Sequence, residues 1–351
     1  MRFGPGWKAD PSIRRALPAY LREAPALTGR GWTARPTRHP PVCRPCRRTE
    51  NRFHGRQSDR DHAGMDLAAW HLTHDLDDFL TRGTGFLRSR PALHTVPLTV
   101  TDMLRRQGLH VYGDGAPLFG TLEDARGGVR AVLFHTPPQA LSLTPLAAQD
   151  AMALAERLAD LRHPVTRISA ERDTAEAFAD AWPLRTGVTA VLDARQRLYR
   201  LVELAVPEPP PAGRARVAGP GDRELLMRWH DEFVVAAGLR MGREPGEWAD
   251  ARLAYGGITL WEAPDGTPVS MAGATPEIAG QVRVAPVYTP AHLRGRGYAG
   301  AVTAEVSRAA LERGATEVLL FTDLANPTSN ALYQRLGYRG VADFATYAFE
   351  D

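Results

Sequence analysis

Arginine and glycine alternate in the segment Arg294-Gly-Arg-Gly297, which lies between an apolar run and a segment of helical pattern. Because glycine has no side chain, an anion can approach the backbone closely at these positions. The first turn of a helix presents free N–H groups to such an anion. The two arginines add positive charge beside them. The segment therefore predicts a phosphate-binding turn that begins a helix at Tyr298.

A second group of polar residues follows about thirty positions later, in Asn326-Pro-Thr-Ser-Asn-Ala-Leu-Tyr-Gln-Arg-Leu-Gly-Tyr338. An asparagine can begin a helix or bind a ligand, and a tyrosine hydroxyl can donate a proton. Taken separately, the glycines could form an ordinary tight turn, and Tyr333 could be a core residue. The interpretation depends on the two motifs occurring together.

Together the two motifs resemble the GNAT superfamily of N-acetyltransferases. His292-Leu-Arg-Gly-Arg-Gly297 is similar to the family pattern R/Q-x-x-G-x-G/A, and Asn326–Tyr338 is similar to N-x-x-A-x-x-L-Y-x-x-x-G-F/Y. His292 stands where Arg or Gln is usual, which removes one side-chain contact. Ser329 stands where alanine is usual. The resemblance covers residues 214–351.

The resemblance implies an α/β (α+β mixed sheet) architecture, the acyl-CoA N-acyltransferase fold. It also implies an enzyme that moves an acetyl group from acetyl-CoA to a primary amine by direct attack, without a covalent enzyme intermediate and without a metal. The acceptor stays open among a small amine, an amino acid, an antibiotic and a protein N-terminus, because acceptor pockets depend on loops. A non-catalytic acyl-CoA-binding or regulatory module is the alternative.

The resemblance also implies roles for particular residues. The pantetheine arm of acetyl-CoA is expected along a strand that separates from its neighbour, and Tyr333 is expected to protonate the leaving thiolate. Asn326 is expected to bind the pantetheine or to hold the start of its helix. The expected cosubstrate-binding residues are Val287, Tyr288, Thr289, Arg294, Gly295, Arg296, Gly297, Tyr298, Ala299, Asn326, Ser329 and Tyr333.

The general base is not identified by the sequence. An attacking amine is mostly protonated at neutral pH, so a carboxylate or a chain of waters must take its proton. Glu232 lies with His230 and Asp231 on the first predicted helix, which lines the acceptor cleft in this family. Glu277 lies near the turn before the central strand. Glu232 and Glu277 are equal candidates.

The elements predicted for residues 214–351 follow the order βααβββαβαβ. The central strand is the apolar run 282–290, in which Pro286 and Pro290 disrupt the ladder because proline donates no hydrogen bond. A long helix follows over 298–313 and ends before Gly314. A buried strand over 317–322, a short helix that ends at Gly337 and a last strand over 344–349 complete this part.

Residues 65–206 show a similar succession, which suggests an internal duplication. Here the sequence predicts a helix over 67–81 and, at the end, a strand pair over 187–192 and 196–204. Nothing like Arg-Gly-Arg-Gly precedes the long helix at 147–161. The expectation is two GNAT-like modules in tandem, 65–206 degenerate and 214–351 catalytic, joined by the proline-rich linker 207–213. The first module could shape the acceptor cleft or act as an internal dimer partner, in a monomer or homodimer.

The first 64 residues carry 14 Lys and Arg against 5 Asp and Glu, and their Pro- and Gly-rich composition lacks the apolar density of a core. They are predicted to be a disordered basic tail, or a stretch translated upstream of a natural start at Met65. Cys43 and Cys46 form a C-x-x-C without a second ligand pair, so no zinc site is predicted. The His and Asp residues between His71 and Asp78 are read as a solvated helix face.

The composition also excludes classes of protein. The rest of the chain is mildly acidic, which predicts no nucleic-acid partner. No run of about 18 apolar residues and no signal-peptide core occurs, so a cytoplasmic protein with no membrane partner is predicted. Lys8 is the only lysine, which excludes a Walker-type nucleotide site. A different nucleotide-binding protein that uses the same glycine turn is a further alternative.

Overall fold

The computed structural model describes residues 69–238 and 244–351. The predictions for residues 1–64, including Cys43 and Cys46, fall outside these ranges. None of the helices in the described residues is long and apolar enough to cross a membrane.

The first half of the described chain contains six strands and four helices. They are β1 (Ala69–Thr73), α1 (Leu76–Ser89), α2 (Thr95–Gln107), β2 (Leu118–Glu123), β3 (Val129–His135), β4 (Leu141–Leu143), α3 (Ala148–Asp160), β5 (Arg167–Glu171), α4 (Arg172–Thr186) and β6 (Thr189–Leu201).

The second half repeats that succession, βααβββαβαβ, as the sequence predicts. Its elements are β7 (Arg214–Val217), α5 (Arg223–Ala237), α6 (Pro245–Leu253), β8 (Ile258–Glu262), β9 (Pro268–Ala274), β10 (Gln281–Tyr288), α7 (Tyr298–Glu312), β11 (Glu317–Asp323), α8 (Pro327–Arg335) and β12 (Tyr338–Glu350).

The described strands form one mixed sheet in the order β1-β2-β3-β4-β5-β12-β6-β11-β10-β9-β8-β7. The last strand of each half lies in the other half: β12 pairs with β5, and β6 pairs with β11. Replacing every strand by its counterpart, β1 by β7 and so on, gives the same order reversed. The sheet therefore has the internal symmetry that a duplication produces, and its mixed α/β architecture confirms the predicted fold class.

Two apolar layers cover the second half of the sheet. On one face, α7 packs against Val282, Val284, Val318 and Leu320. On the other face, Trp229 and Trp248, from α5 and α6, pack with strand residues such as Met271. Strand residues alternate between faces, so β10 contributes to both layers. Burial of a large apolar side chain contributes roughly 1.5–3 kcal/mol to stability, so the two layers fix the position of β10.

Two predicted elements are wrong. The predicted helix over 67–81 is instead β1 followed by α1, which begins where the Asp75 carboxylate accepts hydrogen bonds from the backbone of Asp77 and Asp78. The predicted strand pair over 187–204 is the single strand β6, because it pairs with β12 along almost its whole length. In both places strand pairing prevails over local propensity.

The acidic and histidine side chains near the start of α1 pair with one another and with arginine. Asp78 accepts hydrogen bonds from His71 (2.7 Å) and Arg82 (3.0 Å), and these contacts lower its pKa. No group of three His, Cys, Asp or Glu residues that could hold a metal ion occurs within 69–238 and 244–351.

A buried histidine, His135, lies at the end of β3 and contacts the half-buried His163. His135 Nε2 is 3.1 Å from the carbonyl of Gln139, and His135 Nδ1 is 2.8 Å from Nε2 of His163. A neutral His135 that donates from Nε2 and accepts at Nδ1 satisfies both contacts. Burial, and then the neighbouring His163, lower the pKa of His135 to about 4.

We expect the protein to lose stability as the pH falls below about 6.5, the pKa of a histidine in the unfolded chain. Because the pKa of His135 is lower in the folded protein, protonation favours the unfolded chain. The stability is therefore complete above pH 6.5 and decreases as the pH falls towards the folded-state pKa near 4. For His135 the expected loss at pH 5 is about 2 kcal/mol. Urea unfolding at pH 7.5 and 5 measures it. A His135→Phe variant should lose part of this pH dependence, and an unchanged dependence would contradict the assignment.

Candidate active site

The strands β10 and β11 separate in the middle of the sheet. They pair in parallel only at Gln281–Arg283 with Glu317–Leu319. Beyond this point β10 stays paired with β9 as far as Tyr288, and an irregularity in register between Val284 and Val287 adds one residue to β10. The edge of β10 that faces β11 is therefore left without a strand partner. The resemblance to GNAT proteins predicts such a separation of strands, because the pantetheine arm is expected to lie along the unpaired edge.

The glycine turn follows the end of β10 after a short 3-10 turn at Ala291–Leu293. Gly295 and Gly297 have φ angles of 78° and 85°, a backbone region in which a side chain is strained. The first helical hydrogen bond of α7 runs from the N–H of Ala301 to the carbonyl of Gly297. Before it, the N–H groups of residues 295–300 donate to no acceptor in the described residues. They form a row of donors that suits an anion.

The arginines of the turn contact carbonyl groups of the same segment. Arg294 Nε donates to the carbonyl of Thr289 (3.0 Å), and Arg296 donates to that of His292 (3.3 Å). Neither forms an ion pair with a carboxylate of the described chain, and both are exposed. Thr289 is one of the expected cosubstrate-binding residues, and its carbonyl thus already accepts one hydrogen bond, although a carbonyl oxygen can accept a second.

The helix α8 lies beside this opening. The Asn326 side chain accepts from the N–H of Ser329 (3.0 Å) and begins the helix, which is one of the two roles expected for it. Tyr333 is 8% exposed, and its hydroxyl forms no hydrogen bond within the described residues. Burial raises the pKa of Tyr333 to about 12. The hydroxyl therefore stays protonated at neutral pH.

A residue of the first half holds α8 in place. Tyr199, on β6, donates to Asn330 Oδ1 (2.9 Å) and accepts from Gln334 (3.2 Å). No pattern in the sequence predicts this role, because the contact depends on the exchange of β6 into the other half of the sheet. The only sequence signal for Tyr199 is its position in the predicted strand 196–204.

The structure brings one of the two candidate bases to β10. Tyr288 donates a hydrogen bond from its hydroxyl to Glu232 Oε2 on α5 (2.6 Å). Burial, and then the Glu232 carboxylate, raise the pKa of Tyr288 to about 12. Glu232 is exposed at the same end of β10 at which the strands have separated.

Glu277 lies at the other end of β10, in the connection that precedes Gln281. Eight strand residues span about 25 Å, and the adjacent Ile278 and Ala279 pack against the first half. The structure does not bring Glu277 to the opening between the strands. His230, which precedes Asp231 and Glu232 on α5, is buried. It is 2% exposed, and its ring packs on that of Trp248 with 4.5 Å between the centroids.

The linker contributes to the site in a way that the sequence did not indicate. Pro211 lies beside Gly297, and Pro207 lies beside Gly300 at the start of α7. Gly300 also faces Leu332 of α8, so the two helices approach closely there. The proline-rich segment therefore forms a rigid wall next to the row of free N–H groups.

Residues 224–338 match the model of the acetyltransferase (GNAT) family. These residues form a GNAT domain. No curated protein matches the chain. Solved structures also match the chain. Their sequence identities are low, so they show a shared fold and not a shared activity. One is a GCN5-related N-acetyltransferase from Sphaerobacter thermophilus, at 18% identity and a TM-score of 0.51, over 79% of this chain and 94% of that one.

Two further structures cover both halves. A tandem GNAT protein from the clavulanic acid biosynthesis pathway shares 12% identity at a TM-score of 0.51, over 81% of this chain and 98% of that one. A Drosophila protein shares 15% identity at a TM-score of 0.52, over the same fractions. The GNAT domain of this chain contains the separated strands, the glycine turn and α8, and GNAT is a family of acyltransferases.

Proposed function

We propose that the protein is an N-acetyltransferase that moves the acetyl group of acetyl-CoA to a primary amine. The observation that carries the proposal is the continuity of three features of the GNAT domain. The unpaired edge of β10 leads into the row of free N–H groups at residues 295–300, and the unbonded hydroxyl of Tyr333 lies on the adjacent helix.

In this proposal the pyrophosphate of acetyl-CoA binds the N–H groups that begin at Gly295, since the N–H of Arg294 is already bonded to the carbonyl of Ala291. Arg294 and Arg296 supply charge beside it. The pantetheine amides bond to the free edge of β10 at Val287–Thr289. Tyr298 and Ala299 contribute through their backbone. Ser329 contributes through its position in the first turn of α8.

The amine attacks the thioester carbonyl, so a carbon–nitrogen bond forms and the carbon–sulfur bond breaks. Glu232 takes the amine proton, and the hydroxyl of Tyr288 holds this carboxylate in place. The electron pair of the broken bond leaves on sulfur. A thiol has a pKa of about 8.5, below the value of about 12 for Tyr333. Tyr333 therefore stabilises the thiolate as a hydrogen-bond donor, and solvent supplies the final proton.

Replacing Glu232 by glutamine should lower kcat/KM about 10²-fold, because the amide cannot accept the amine proton. A continuous assay of free CoA thiol measures this effect. Glu224→Gln is the matched control, since Glu224 is an exposed glutamate at the start of the same helix. A Glu232→Gln enzyme as active as the Glu224→Gln enzyme would exclude Glu232 as the base.

A turnover screen tests the proposed function itself. Release of CoA thiol from acetyl-CoA is followed in the presence of a panel of amines, with the acetylated product identified by mass. Amine-dependent release supports acetyl transfer. Tight binding of acetyl-CoA without release for any amine, unaffected by Tyr333→Phe and Glu232→Gln, would instead support a non-catalytic acyl-CoA-binding module.

A further inference from the structure

An arginine lies at the point where β10 and β11 separate. Arg283 pairs with Leu319, the last paired position of the two strands. Its neighbours Val282 and Val284 belong to the core under α7. Because side chains alternate along a strand, the guanidinium of Arg283 lies on the opposite face. That is the face on which α5 and α6 pack, and from which Tyr288 reaches Glu232.

A helix of the first half encloses this guanidinium. Arg283 donates to the hydroxyl of Thr95 (3.3 Å) and to that of Thr99 (2.9 Å), both on α2. Part of the side chain stays accessible to solvent. Burial, and then the nearby Arg252, lower the pKa of Arg283 to about 10, so it is charged at neutral pH. The first half thus forms one wall of a positively charged site. The site lies on the face of the sheet that packs against α5 and α6.

The charge of this site has no counterion within the described ranges. Neither Arg283 nor Arg252 forms an ion pair with a carboxylate of residues 69–238 or 244–351. Arg252 donates instead to the hydroxyl of Tyr255 and to the carbonyl of Ala274, each at 2.7 Å. An enclosed charge without a counterion is costly, even where neutral groups accept its hydrogen bonds. Two neighbouring guanidinium groups without a carboxylate leave a place for an anion from outside.

A side-chain donor beside Arg283 lacks an acceptor in the described residues. Thr95 donates to the side-chain oxygen of Gln281 (2.8 Å), while the side-chain nitrogen of Gln281 is buried without a hydrogen-bond partner in the described chain. The site therefore has an excess of donors. The counterpart strand in the first half, β4, reads Leu141-Ser-Leu143 and carries no arginine. The repeated architecture does not itself require a charge at this place.

We propose that Arg283, assisted by Arg252, binds an anionic group of the acceptor, so that the substrate is an amine that also carries a carboxylate or a phosphate. This inference rests on the proposed acetyl transfer. Glu232 lies on the same face of the sheet and attracts the ammonium end. A guanidinium forms paired hydrogen bonds with either anion. The site thus selects a substrate with opposite charges at its two ends.

Matched pairs of amines test the inference. Because Arg283 and Tyr288 lie five residues apart along β10, the amines must be long: 6-aminohexanoate against 6-aminohexanamide, and 6-aminohexyl phosphate against 6-aminohexanol, differ mainly in the anionic group. With kcat/KM expressed per unprotonated amine, we expect the wild-type enzyme to prefer at least one anionic member by about tenfold or more. Arg283→Gln should bring that ratio near one, and Arg283→Lys should retain part of it. Arg126→Gln, in the exposed turn between β2 and β3, should leave the ratio unchanged.

The possible results separate the two proposals. Equal acetylation of anionic and neutral amines by the wild-type enzyme would overturn this inference and leave acetyl transfer standing. The same holds for a preference that survives Arg283→Gln. Failure to acetylate any amine would overturn both. The pair that shows the larger ratio identifies the anion as carboxylate or phosphate, and if Arg283→Gln does not fold, the wild-type ratio and Arg283→Lys decide.

Discussion

Replacing Tyr333 by phenylalanine is expected to lower kcat by about 10²–10³-fold, because one hydrogen-bond donor to the developing thiolate is lost. The Tyr333 side chain is buried in the core under α7, with its ring 6.1 Å from that of Tyr338, and its hydroxyl has no hydrogen-bond partner in the described residues. Its proposed partner is the sulfur that becomes negative as the thioester breaks. The effect should therefore fall on kcat more than on the affinity for acetyl-CoA. Single-turnover measurement of thiol release gives the rate directly.

The same substitution should leave the free energy of unfolding within about 0.5 kcal/mol of the wild type, because no hydrogen bond is lost. Tyr338→Phe is the converse control. Tyr338 shares a buried hydrogen bond of 2.7 Å with Ser307, so its loss should cost about 1 kcal/mol of stability while thiol release continues. Full activity of Tyr333→Phe would contradict the role of Tyr333.

Replacing Gly337 by alanine is expected to lower the free energy of unfolding by about 2–5 kcal/mol. Gly337 ends α8 with a φ angle of 95°, where a side chain is strained. A Cβ there would also overlap the carbonyl oxygen of Glu203, in the segment after β6. That segment is bonded to the end of α8 through Val202 and Ala205. The substitution therefore strains the junction of the two halves.

Gly314→Ala separates the two causes. Gly314 follows α7 with a φ angle of 99°, but a Cβ there would meet no atom within 4 Å. Its substitution should cost only the backbone strain, about 1–2 kcal/mol. Chemical denaturation of both variants measures the difference. Equal losses would show that the contact with Glu203 adds nothing.

The parts of the fold that local sequence determines were predicted well. The run before Pro290, the turn at Arg294–Gly297 and the helix from Tyr298 each have a local signal, namely branched apolar residues, glycine and an amphipathic period. The structure has a strand at Gln281–Tyr288 and a helix at Tyr298–Glu312 in these places. The repeated order of elements is also visible in the sequence.

The parts that depend on distant pairing were not predicted. The strand β6 continues through residues 193–195, which separate the two predicted strands, because β12 supplies partners along it. Tyr199 of β6 contacts α8, Pro211 of the linker lies beside Gly297, and Arg283 of β10 contacts α2. No local sequence pattern indicates these contacts, because each joins distant parts of the chain. Glu232 and Glu277 looked equivalent in sequence, and only the direction of β10 separates them.

Titration of the wild-type protein with acetyl-CoA, and with ligands that lack either its pyrophosphate or its pantetheine, tests the central claim most directly. Calorimetry should detect acetyl-CoA binding with a Kd in the micromolar range, at least tenfold weaker binding of S-acetylpantetheine, which lacks the pyrophosphate, and no comparable binding of ATP. This order is expected if the N–H groups at 295–300 hold the pyrophosphate while β10 holds the pantetheine. ATP binding as tight as that of acetyl-CoA, or no binding of acetyl-CoA, would contradict the account.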